Sequence, residues 1–329
     1  MITEPTIIMT GVFAPLVEEF LTLKRAQGFK YYSEAKILRR FCEFSNEYQL
    51  ETPVLTEQIV LDWIAPRKNE MPKSRMNRVS CINQFSKFLE QKGYTAYTPP
   101  SQCNWNKSNF VPYIFTHDEI NAIFQACDNI KAVSQAKHMH KSLPVLFRLL
   151  YSCGLRISEA VNLQCKDVDL SEGILLLRNT KNEQDRLVPM SQTLLQHFKY
   201  YRENVIPWAT EDDFFFMAPD RSILSPMTVY GRFRRILKVA GISYLGKGNG
   251  PRLHDLRHTF AVHTLQNWVK QGEDLTSMLP ILSAYMGHKS FNATSRYLRL
   301  TAEVYPEVVK QVENICSFAI PEVNINETY

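Results

Sequence analysis

Four short segments of the chain carry side chains whose types and spacing could do chemistry. The first is LLYSCGLRISEA, residues 149–160. An apolar helix ends near Gly154, Arg156 sits at the turn, and Ser158 with Glu159 can cap the helix that follows. A guanidinium on a rigid turn offers a planar two-pronged donor, and a helix start adds backbone N–H groups. The turn is therefore a candidate phosphate clamp. The plain alternative is a surface arginine paired with Glu159. The second segment is the polar turn NTKNEQD, which holds Lys181. That lysine is either a general acid reaching into a groove or a solvated loop residue. The third is PRLHDLRHTFAVH, residues 251–263. His254 and Arg257 are three apart and share a helix face. His254 and His258 are four apart, as zinc ligands on a helix would be. The pair lacks the glutamate of H-E-x-x-H and has no cysteine close by, so no metal is expected. His258 and His263 read as structural, or as contacts to the core or, if the clamped phosphate belongs to DNA, to its backbone. The fourth is LSAYMGHKSFNATSRYL, residues 282–298. Gly287 ends a helix, His288 follows it, and Tyr297 comes nine residues later. One tyrosine among 15 says little by itself.

These side chains need elements to hold them. Apolar residues at helical spacing predict helices over 12–27, 33–47, 56–64 and 73–92. Gly28, Pro66 and Gly93 mark three of the ends, and Thr56 is a plausible N-cap. Together these helices make a four-helix bundle. The stretch YTPPSQCNWNKSNFV, residues 97–111, has adjacent prolines and no periodicity, which suits a linker. Thr116 then caps a new helix with acidic residues in its first turn. Residues 173–190 contain two strand-like runs, ILLLR and RLVPM, on either side of the Lys181 turn. Helices resume at 192–201, 226–240, 255–270 and about 279–286. A last helix is expected over 306–316, followed by a tail.

The four segments, in this order, resemble the tyrosine recombinases, also called phage-type integrases. That family carries a G-L-R-x-[SG]-E turn, a hairpin lysine, an H-x-L-R-H-T helix, and an L-G-H segment with a tyrosine nine residues on. Here they stand as GLRISE, Lys181 before RLVP, HDLRHT and MGHKSFNATSRY. Met286 replaces the usual leucine, a volume-conserving change. The resemblance spans about residues 116–301. It implies a mainly α, two-domain protein. An N-terminal four-helix, SAM-like core-binding bundle (1–96) and a linker (97–112) precede a mixed α+β catalytic domain (113–316) with a small antiparallel sheet. A tail (317–329) follows, whose FAIPEV run would dock on a neighbouring subunit, fold back on its own, or stay disordered.

The resemblance also assigns roles. Tyr297 attacks the scissile phosphate and forms a 3′-phosphotyrosyl bond. Arg156 and Arg257 bind its non-bridging oxygens, and His288 donates to the same phosphate. Lys181 protonates the leaving 5′-oxygen, His254 assists as a base or hydrogen-bonding partner, and Glu159 orients Arg156. The chemistry is coherent, because fixed cationic donors stabilise the charge that develops on phosphate oxygens. A phenolate is a fair leaving group, so the covalent bond is reversible. No cofactor, metal or ATP is expected.

The implied partner is double-stranded DNA with inverted half-sites. The implied assembly is a homotetramer in the synaptic complex and a monomer or dimer off DNA, with accessory proteins as further partners. Arg39, Arg40, Lys73, Arg75, Arg78 and Lys87 in the bundle, and Arg232, Arg234 and Arg235 later, are candidate phosphate contacts or solvated faces. The net charge of +5 permits nucleic-acid binding without demanding it. The seven cysteines are scattered with no C-x-x-C pair, which argues for a reducing compartment. No signal peptide or membrane span is read, and a cytoplasmic protein is expected. Extra length around residues 267–280, together with the L-P-x-L-S-x-Y-M-G-H and R-Y-L-R-L runs, leans toward recombinases carried by transposons. The rival readings are a type IB topoisomerase or hairpin-telomere resolvase, an accessory DNA-binding member of a multi-recombinase set, and a metal-dependent hydrolase on His254 and His258.

Overall fold

The computed structural model describes residues 9–99, 111–136, 138–178, 185–244, 246, 250–288 and 291–304. Lys181, the expected 306–316 helix and the FAIPEV tail lie outside the described residues. The chain divides into two compact units, Met1–Asn109 and Phe110–Tyr329.

The first unit is built from α1 (Ala14–Ala26), α2 (Tyr32–Ser45), α3 (Glu57–Ile64) and α4 (Pro72–Gln91). In α1 the apolar positions Leu16, Val17, Phe20 and Leu21 fall on one stripe and are buried. Thr56 starts α3 by accepting a hydrogen bond from the Ile59 N–H. Aromatic rings fill the centre, with Phe41 5.5 Å from Phe13 and 5.4 Å from Trp63, and Phe85 5.6 Å from Phe20. Such offset and edge-on pairs add to the stabilisation from burial alone.

The second unit opens with α5 (His117–Asp128), where Thr116 and Glu119 form a reciprocal capping box. It continues through α6 (Met139–Ser152), α7 (Ile157–Val161), β1 (Val168–Asp169), β2 (Ile174–Leu177) and β3 (Arg186–Pro189). Then come α8 (Gln192–Asn204), α9 (Pro226–Val239), α10 (Asp255–Lys270), α11 (Leu275–Met286) and α12 (Phe291–Val304). The sheet is antiparallel in the order β1-β2-β3, with Leu175 opposite Val188 and Leu177 opposite Arg186. Alternation along the strands buries Leu175, Leu177 and Val188 and leaves Leu187 exposed. A large core gathers Phe115, Leu146, Phe147, Phe198, Phe215 and Phe233. A smaller one joins α10, α11 and α12 through Val262, Leu265, Leu282, Met286, Tyr297 and Leu300.

Four local features depart from the sequence reading. Strand β1 adds a third strand, too short at two residues to show an alternating pattern. Helix α11 starts at Leu275 rather than near Leu279. The Asp274 carboxylate accepts from the Thr276 and Ser277 N–H groups, and that cap outweighs the bond lost at Pro280 inside the helix. Glu159 rather than Ser158 caps α7, with its carboxylate on the Arg156 N–H. Tyr297 lies on a further helix, α12, beyond those expected from periodicity. Among the described residues no helix is long and apolar enough to cross a membrane.

Candidate active site

The site forms where the end of α11 meets the starts of α7 and β3 and the first turns of α10. The last turn of any α-helix leaves carbonyls without intrahelical donors. Here three arginines from three elements take them. Arg186 Nε donates to the Tyr285 carbonyl at 3.0 Å, Arg257 Nη2 to Met286 at 2.7 Å, and Arg156 Nη2 to Gly287 at 3.1 Å. The negative end of the α11 dipole favours this gathering of positive charge. Arg257 Nη1 reaches across to the Gly154 carbonyl at 2.6 Å, which ties α10 to the turn before α7.

Two glycines allow the approach. Gly154 has φ +58°, and a Cβ there would lie 2.4 Å from the Phe260 ring. Gly287 has φ +65°, and a Cβ there would lie 2.8 Å from Arg186 Nη1. Both conformations also disfavour residues with side chains.

Glu159 is the counter-charge. Its side chain is 3 % exposed and accepts from Arg156 Nη1 at 2.7 Å and from both Arg186 Nη atoms at 3.0 Å. Burial pushes its carboxyl up, but hydrogen bonds and charge from Arg186 and then Arg156 outweigh that and hold it low. One carboxylate faces three guanidinium groups, so the cluster keeps a surplus of positive charge and is suited to an anion. Arg257 is pushed down to about 10 by burial and then by Arg156, which leaves it charged at neutral pH.

The histidines and the tyrosine adjoin this cluster. His288 Nε2 lies 3.0 Å from Arg257 Nη2. Arginine can only donate, so Nε2 accepts and the ring proton sits on Nδ1, 2.7 Å from Thr294 Oγ1. Burial, then Arg257, Arg156 and Arg186, lower His288 to about 4. The Tyr297 ring stacks on His288 with centroids 6.1 Å apart, and its hydroxyl lies 2.9 Å from His258 Nδ1. Tyr297 is 4 % exposed. Burial raises its pKa, while the positive charge of Arg257 opposes the rise. His254 is the N-cap residue of α10, and its ring meets that of His258 edge-on at 4.8 Å. The residue is exposed on one side and packs on the His258 ring on the other. Desolvation, then Arg257, Arg252 and Arg156, bring it to about 4. Among the described residues no group of three or more candidate ligands is placed to hold a metal ion.

The model of the phage integrase family matches residues 114–303, more than half of the chain and the whole of this cluster. The chain belongs to that family, the tyrosine recombinases. Relatives agree along nearly the full length. "Putative integrase/recombinase y4rE" of Sinorhizobium fredii is 31 % identical over 86 % of this chain and 90 % of its own. Tyrosine recombinase XerA of Pyrococcus horikoshii is 27 % identical over 92 % of this chain and 95 % of its own. A solved part of the Tn1549 transposon integrase shares the fold with a TM-score of 0.62 at 16 % identity, over 90 % of this chain and 99 % of that solved chain.

In this recombinase the structure brings together Arg156, Glu159, His254, Arg257, His288 and Tyr297, while Lys181 lies outside the described residues. Two residues join them that the sequence reading did not place in the site. Arg186 was visible only as the first residue of the RLVP strand. His258 read as structural or as a contact to the core or DNA backbone, yet it touches the Tyr297 hydroxyl. The proposed DNA contacts divide. Arg40, Lys73, Lys87 and Arg235 are exposed, Arg39 pairs with Glu43, and Arg232 is half-buried. Arg234 is exposed with its guanidinium over the Tyr244 ring. Arg75 Nε donates to the Ile64 carbonyl. Arg78 is a correction: it is buried, paired with Glu70 and bonded to the Ala65 carbonyl, so its guanidinium serves the bundle.

Proposed function

We propose that this recombinase cleaves and rejoins double-stranded DNA through a 3′-phosphotyrosyl bond on Tyr297. The observation that carries the reading is Tyr297 beside a buried cluster of fixed arginines with one counter-charge. A phosphate docked there meets Arg156 and Arg257, whose positions the backbone already fixes, so little reorganisation is needed as charge develops. The Tyr297 oxygen attacks phosphorus, and the 5′-oxygen leaves with a proton, a role that falls to Lys181. The phosphodiester energy is kept in the covalent bond until another 5′-hydroxyl attacks. His288 donates to the phosphate only after gaining a proton or exchanging tautomers, and the negative charge of the phosphate favours both. Tyr297 and Arg257 are both largely buried.

The substrate is DNA with inverted half-sites, bound by a homotetramer during synapsis, in the integration, excision or transposition of a mobile element. The solved integrase of similar fold is in complex with transposon right end DNA. Exposed Arg40, Lys73, Lys87 and Arg235 suit phosphate contacts, which would make binding weaken steeply with salt. The test is a supercoiled plasmid carrying two copies of the native site. Deletion or inversion between them is expected. Relaxed topoisomers without exchanged products would instead favour the topoisomerase reading.

A further inference from the structure

We propose that His258 is the base that takes the proton from the Tyr297 hydroxyl as the tyrosine attacks DNA, an assignment that rests on the phosphotyrosyl reading above. The geometry is direct. His258 Nδ1 and the Tyr297 oxygen are 2.9 Å apart, on the packed helices α10 and α12. With the ring proton on Nε2, Nδ1 accepts the phenolic O–H. The other candidates are occupied or turned elsewhere. His288 stacks on Tyr297, but its two nitrogens face Arg257 and Thr294. Glu159 is held by Arg156 and Arg186. His254 touches the His258 ring rather than the hydroxyl.

The surroundings would make the pair respond to a bound phosphate. The groups whose charge acts on His258 are Arg252 before α10, His254 and Arg257 at its start, and Arg296 on α12. Burial first, and then these neighbours, lower His258 to about 3. At that value the proton stays on Tyr297. A phosphate seated on Arg257 and Arg156 brings negative charge into the same space and offsets part of the depression. The base therefore strengthens when substrate arrives.

The step balances. The Tyr297 O–H bond breaks as the N–H bond forms on His258, and the new P–O bond forms as the P–O5′ bond breaks. The 5′-oxygen takes its proton from the general acid. His258 can release its Nε2 proton toward the solvent-reachable His254 ring. On rejoining, the proton returns to Tyr297.

The test is single-turnover cleavage of a nicked suicide duplex at saturating protein, comparing wild type, His258→Asn and His258→Ala. Asparagine puts an amide group near the Nδ1 position and keeps a hydrogen bond, but it cannot take a proton. His258→Asn is expected to bind DNA normally and cleave about 10²–10⁴-fold more slowly. Added imidazole is expected to speed His258→Ala and leave His258→Asn unchanged. Cleavage by His258→Asn at the wild-type rate would overturn the assignment and mark His258 as a packing residue, even if the alanine variant fails to fold. Absence of any covalent product from the wild-type protein would sink the phosphotyrosyl reading itself. Product from wild type and His258→Asn alike sinks only the role of His258.

Discussion

Arg257→Ala is expected to cut the rate of DNA strand cleavage by about 10²–10³-fold or more, the usual cost of removing one fixed donor from a developing charge. The loss has two parts. The guanidinium that would hold a phosphate oxygen is gone. The carbonyls of Gly154 and Met286 also lose their donor, at about 1–3 kcal/mol for each buried group left unsatisfied. Stability therefore falls with activity. Arg257→Lys separates the parts, because lysine keeps the charge but cannot span both carbonyls. It is expected to remain folded with cleavage still strongly reduced. Affinity for DNA should change far less in either variant, since many phosphate contacts share it. Single-turnover cleavage, gel-shift affinity and a denaturant melt on the same samples check all three statements.

Glu159→Ala has the largest expected effect on stability. Its carboxylate is the counter-ion of both Arg156 and Arg186, and all three side chains are under one-fifth exposed. Removing one partner from a buried ion cluster costs about 3–5 kcal/mol. For a unit of this size that lowers Tm by on the order of 10 °C. The effect depends on pH in a definite direction. The folded pKa of Glu159 is depressed, so its contribution is complete above the unfolded carboxyl value of about 4.3. It is lost as pH falls through the lower folded value. The gap in Tm between wild type and variant should be full at pH 7 and shrink below about pH 4. Thermal melts from pH 7 to pH 3 measure it. An equal gap at both ends would mean that Glu159 stabilises by packing rather than by charge.

Much of the fold was legible because the local signals agreed with one another. Phe13, Leu16 and Phe20 fall on one helical stripe, Gly28 and Gly93 have the positive φ that ends a helix, and Thr116 caps α5 as expected, here in a box with Glu119. What escaped was of two kinds. Some was local but weak. Strand β1 is too short to alternate, and α12 follows a segment read for its His-to-Tyr spacing rather than its periodicity. Yet Thr294, Tyr297 and Thr301 are three and four apart and buried on one face of α12, a pattern the sequence did contain. The rest was not local at all. Arg186 enters the site only because the sheet and α11 bring it to Glu159 and the Tyr285 carbonyl, 27 and 99 residues away in sequence. His258 was half understood: it does pack inside the unit, but against the reactive hydroxyl. Arg78 looked like a phosphate contact because its partner Glu70 lies eight residues back, before α4 begins, where no helical spacing reveals it.

The central claim is that Tyr297 is the nucleophile. The most direct measurement uses a nicked suicide duplex bearing the native element end, incubated with the protein in EDTA and run on a denaturing gel. A covalent protein–DNA band is expected for the wild type, with the adduct mapped by mass spectrometry to the peptide containing Tyr297, and no band for Tyr297→Phe. A band that persists in Tyr297→Phe, or an adduct on Tyr285 or Tyr305, would contradict it.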